Sequence, residues 1–183
     1  MRKMNRNGRK LSGAVLLLAI ALASFTAAAI TITNITEWNV KAMYPPIVKV
    51  AGADDQTNYV NVTTYTADDG TNRTVITIVG FTGDPTYYSE PLKICNKDTV
   101  PYSVSLVYKQ VLGGGWTYVK YLKFWLGNSG PLTVTSSGSS GSATATVNPG
   151  QCVAVPVEVL VTPDAPTNTV LITVEIDVVS TRS

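Results

Sequence analysis

The sequence predicts an all-β protein: a single β-sandwich, jelly-roll or immunoglobulin-like, behind a helical N-terminal leader. Three observations predict it. Two segments near the C-terminus alternate at period two, Val153, Val155, Val157, Val159 and Val161, then Val170, Ile172, Val174, Ile176 and Val178. Such β-branched faces are what half-buried antiparallel strands present. Turn residues punctuate the chain, among them Asp69-Gly70, Gly83-Asp84-Pro85 and Asn148-Pro149-Gly150. Finally, no segment of the body repeats its apolar residues at helical spacing.

The leader covers residues 1–29. Arg2, Lys3, Arg6, Arg9 and Lys10 precede a nearly unbroken apolar run from Leu11 to Phe25, and Thr26-Ala27-Ala28-Ala29 comes after it. Basic flank, apolar core and small-residue exit are the three parts of a secretory signal peptide. Cleavage after Ala28 or Ala29 would release a chain beginning near Ile30. Two other readings stand beside it. A retained anchor needs about 20 apolar residues, which the run supplies only if Thr26 to Ile32 extends it. A type IV prepilin would be cut near Lys10-Leu11 and keep the run as an assembly helix.

Residues 30–46 form an N-terminal strand and linker. Ile30 and Ile32 share one face and Thr31 and Thr33 the other, whereas Glu37 to Tyr44 has no clear period. Pro45-Pro46 makes the next residues stiff and extended. The sandwich occupies residues 47–183. Its expected strands begin with Ile47 to Val50, then the hairpin Tyr59–Tyr65 and Thr74–Val79 turned by Asp69-Gly70. Leu92 to Cys95 comes next, then Tyr102 to Val111, which Gly113-Gly114-Gly115 is expected to turn back into Trp116 to Leu126. Leu132 to Val134 and Ala143 to Val147 flank Ser136 to Ser142, a Ser/Gly tract expected to be a mobile loop. The two long strands close the chain, with Pro156 at an edge or bulge because it lacks an N–H. That makes nine or ten short strands.

Composition removes several functions. Charged residues are only 14% of the 183, and histidine is absent, which takes away the commonest general base and transition-metal ligand. Without the five leader charges, basic residues fall from 14 to 9 against 12 acidic ones. The mature chain therefore has no basic footprint for nucleic acid. Cys95 ends one expected strand and Cys152 begins another. In an exported protein this pair predicts one disulfide, the alternative being two buried thiols.

No constellation for catalysis emerges, and no cofactor is expected. Asp54-Asp55 and Asp68-Asp69-Gly70-Thr71-Asn72 offer oxygen ligands of the kind calcium takes, but turn chemistry accounts for both. Asn34-Ile35-Thr36, Asn61-Val62-Thr63 and Asn72-Arg73-Thr74 fit the N-glycosylation triplet. Asn34 shares parity with Ile30 and Ile32 and would point inward, which leaves Asn61 and Asn72 as candidate acceptors. Trp116 and Tyr118 could stack on a sugar; core and rim packing is the plainer reading.

What remains is the edge problem. A sandwich built of long alternating strands has unpaired backbone groups that recruit further strands. The segment Ile30, Thr31, Ile32, Thr33, Asn34, Ile35 is terminal and apolar on one face, with no hairpin turn to pair it locally. It either folds back on its own domain or is donated to a neighbour. Donation is β-augmentation, and because donor and acceptor surfaces differ the contact propagates head to tail.

The layout of leader, N-terminal strand and Thr/Val-rich sandwich ending in two long alternating strands resembles the archaeal bundling pilins and the related TasA-like biofilm matrix proteins. The turn-then-strand element Val147-Asn148-Pro149-Gly150-Gln151-Cys152-Val153-Ala154-Val155-Pro156-Val157-Glu158-Val159 carries that likeness. The resemblance implies a secreted subunit of an extracellular filament, a homopolymer joined by donor-strand complementation, serving adhesion, bundling or biofilm cohesion. Its donor would be residues 30–36. A type IV pilin and a monomeric cell-surface module binding carbohydrate or protein are the alternatives.

Overall fold

The structure is a computed structural model that describes residues 36–183. The leader and the six donor residues Ile30 to Ile35 lie outside the described residues. The chain divides into two units, Met1–Ala42 and Met43–Ser183. Of the first, residues 36–42 are described and have no regular structure.

The second unit is all-β and sandwich-like, without a helix among the described residues. Thirteen strands are present there: β1 (Ile47–Ala51), β2 (Val60–Thr66), β3 (Asn72–Ile78), β4 (Pro85–Tyr88), β5 (Leu92–Asn96), β6 (Tyr102–Gly114), β7 (Val119–Leu126), β8 (Ser129–Thr135), β9 (Gly138–Ser140), β10 (Ala143–Val147), β11 (Cys152–Ala154), β12 (Val157–Val161) and β13 (Ile172–Arg182). They form four sheets, ordered β1-β5-β11, β10-β6-β13, β4-β12-β7-β8-β9 and the hairpin β2-β3.

One apolar core joins the three larger sheets. Ile94 of β5, Val104 of β6, Leu126 of β7, Val134 of β8 and Val147 of β10 are fully buried in it, with Val159 and Val161 of β12 close to that. The period-two faces deliver these residues inward, as alternation requires. Val104 and Leu106 of β6 are buried, and Tyr108 on the same face packs against the core.

Several expectations are corrected. The triple-glycine segment does not fold β6 back onto β7. Instead β6 runs on through Gly114 and pairs with β10 and β13, while β7 pairs with β12 and β8. Gly114 takes φ +67°, and a Cβ there would collide with the Leu171 carbonyl, so the chain leaves one sheet and crosses to the other at a point only glycine fits. The Ser/Gly tract is not a free loop: Gly138, Ser139 and Ser140 pair with β8 as edge strand β9. Backbone pairing stabilises it where side-chain burial cannot. The strand expected over 153–161 is two. β11 ends at Ala154, Val155-Pro156 carries the chain between sheets, and β12 begins at Val157. Pro156, with no N–H to offer a ladder, sits at that break. Val170 is 73% exposed and precedes the last strand.

Candidate assembly site

The sites expected from sequence divide into those described and those not. Cys95 and Cys152 form the disulfide, as opposite partners of β5 and β11, 57 residues apart in sequence. Val48 of β1 lies opposite Cys95 on its other side, so one row reads Val48, Cys95, Cys152. The bond therefore pins the strand on which β1 hangs. Asn61 is exposed on the outward face of β2, with Thr63 two residues on, also exposed. Asn72 lies in β3 opposite Thr66. Trp116 and Tyr118 are half-buried, precede β7 and pack against the core.

The carboxylates considered as calcium ligands hold backbone instead. Asp54 Oδ2 accepts from the Glu90 N–H at 2.7 Å and Asp55 Oδ1 from the Val62 N–H at 2.7 Å. Asp69 accepts from the Thr71 hydroxyl and N–H and from the Arg73 guanidinium, which together lower its pKa to about 2. Among the described residues, no group of three or more His, Cys, Asp or Glu is placed to hold a metal ion.

The feature that invites a partner is a cleft between two sheet edges. β1 ends the β1-β5-β11 sheet and β13 ends the β10-β6-β13 sheet, so among the described residues each has a strand on one side only. A cleft of about 380 Å³ lies between them, lined by Pro45, Ile47 and Lys49 on one wall and Ile176 to Ser180 on the other. Ile47, Ile176 and Val178 belong to the half-buried rim of the core. The cleft is where the core remains open.

The walls are held by different means. Along β6, β13 pairs over its whole length, with register shifts at Thr173/Val174 and Glu175/Ile176; such bulges add twist to an edge strand. On its outward face Glu175 accepts from Gln110 Nε2 at 2.8 Å, and Asp177 lies 3.9 Å from Lys109 Nζ. The β1 wall starts where Lys97 N–H donates to the Pro46 carbonyl at 2.7 Å. The two sheets that carry the walls are linked by Asn96, which is fully buried at the end of β5. Its Nδ2 donates to the carbonyls of Val100 at 2.7 Å and of Val147 in β10 at 2.9 Å, and its Oδ1 accepts from Asp98 N–H at 2.9 Å. A satisfied buried amide fixes register between layers in a way apolar packing does not.

Neither the cleft nor Asn96 was foreseen from sequence. The available signal for the cleft was the last strand itself, long and alternating. For Asn96 it was a lone amide closing a strand whose inward residues are apolar. No protein-family model matches the chain, and no curated protein matches it closely enough to be counted a relative.

Proposed function

We propose that this protein is a secreted structural subunit that polymerises into extracellular filaments by donor-strand complementation, for adhesion, bundling or biofilm cohesion. The observation that carries the reading is the cleft between the unpaired edges of β1 and β13, where the core is left half covered. A strand laid there gains two backbone ladders and buries its apolar face on Ile47, Ile176 and Val178.

On this reading the donor is Ile30 to Ile35 of another copy, freed by removal of residues 1–29. It joins the β1-β5-β11 and β10-β6-β13 sheets into one seven-stranded layer across the core from the five-stranded sheet. The single β-sandwich expected from the sequence is then completed by a neighbour. Donor and acceptor are different surfaces of one chain, so each added subunit presents a new cleft and the polymer stays open-ended.

Deleting residues 30–35 and imaging the secreted protein by electron microscopy tests this. Filaments should be lost while the disulfide-bonded domain still folds. Filaments that persist after the deletion, or a mature N-terminus near Leu11 on sequencing, would overturn the reading.

A further inference from the structure

The edge offered by β13 is longer than the expected donor. β13 has 11 residues, an edge of about 36 Å, whereas Ile30 to Ile35 spans six residues and about 20 Å. The remainder is room for a longer donor.

The residues after Ile35 supply it. Although Glu37 to Tyr44 as a whole has no clear period, Trp38, Val40 and Tyr44 keep the even parity of Ile30 and Ile32 past Asn34 and Thr36, with Glu37, Asn39 and Lys41 between them. In the described chain Trp38 is 86% exposed, Val40 97% and Tyr44 97%. Asn39 Nδ2 donates to Glu37 Oε1 at 3.4 Å, so these two polar side chains lie together. An exposed tryptophan and valine close together on a segment without regular structure form an apolar surface open to a partner.

We propose that the donor does not end at Ile35 but runs through Val40, so that Trp38 and Val40 dock with Ile30 and Ile32 on the cleft and free β13 edge of a second copy. The proposal rests on the assembly reading above. Its occupant is set by length: Ile30 to Val40 is eleven residues, the same as β13. Tyr44 and Pro45-Pro46 then serve as the spacer to the subunit's own β1. Tryptophan is the side chain most often found carrying an interface, so Trp38 is the anchor.

The test uses the full chain, purified after export. Trp38→Ser with Val40→Ser should raise the subunit concentration needed to sustain polymer about a hundredfold. Asn39→Ser with Lys41→Ser, on the opposite face, should change it by less than about twofold. Trp38→Phe should restore most of the loss. All four positions are exposed in the single chain, and circular dichroism of each variant checks that the domain is intact. Polymerisation should also shift Trp38 emission to the blue, read as the difference between wild type and Trp38→Phe.

The two pairs behaving alike, while deletion of 30–35 abolishes filaments, would leave the assembly reading standing and overturn this one. A blue shift on vesicles of phosphatidylglycerol without polymer would mean that Trp38 faces lipid, and would overturn it also. Wild-type protein that forms no polymer would sink both.

Discussion

β12 and β13 look alike in sequence and meet different fates. Both alternate Val or Ile with other residues. β12 is paired on both sides, by β4 and β7, and its inward Val157, Val159 and Val161 are only 3–4% exposed. β13 is paired by β6 alone, and Ile172, Val174, Ile176 and Val178 stay half-buried although they face the same core. Alternation reports which side of a strand is apolar. It does not report how many neighbours the strand has, and an edge strand with a core-quality face is an unfinished layer.

The largest effect is expected at the disulfide, which joins β5 to β11 within the sheet that ends in β1. Replacing both cysteines, Cys95→Ala with Cys152→Ala, should cost about 4 kcal/mol, the chain-entropy contribution of a loop of this length. Hydrogen exchange should then rise in β1, whose partner strand the disulfide pins, more than in β12. Equal rises would mean that the bond stabilises the whole domain evenly and does not guard the cleft wall.

Asn96→Leu should cost about 3 kcal/mol in urea unfolding, since the carbonyls of Val100 and Val147 lose their donors in a buried site. A cost below about 1 kcal/mol would show that apolar packing alone holds the sheets together. Next come paired truncations. Val159→Ala should destabilise the monomer by about 2–3 kcal/mol and Ile176→Ala by about half that, because the second side chain is still partly in water. Matching losses would erase the distinction between the strands.

The smallest effect concerns pH. Glu158 of β12 accepts from Lys123 Nζ and from the Tyr121 hydroxyl, both at 2.8 Å, and Lys123 foremost holds its pKa below the ordinary 4.5. A lowered folded pKa means stabilisation that is full above 4.5 and fades as pH falls through the folded value. Glu158→Gln should therefore be less stable than wild type at pH 7, by under about 1 kcal/mol, with the gap closing in acid. A gap that widens toward low pH would contradict the sign.

Much of this was legible beforehand because it is local. The β2-β3 hairpin comes from Asp69-Gly70, where Gly70 adopts φ +79°, and β5 and β10 come from short apolar runs. Gly113 to Gly115 misled because glycine marks a sharp change of direction without saying toward which sheet. Ser136 to Ser142 misled because a segment with nothing to bury can still be held by backbone pairing.

The sequence by itself determined the all-β class, the inward faces, the turn positions and the pairing of two cysteines. Each depends on periodicity, φ preference or count, which are properties of neighbouring residues. Only the tertiary structure decided that β6 and β7 belong to different sheets, that Asn96 bridges two of them, and that β1 and β13 face each other across a cleft. Those are relations between segments far apart in the chain, Pro45 and Ser180 across the cleft being the extreme, and strand order depends on which edges remain free once every other strand has been paired.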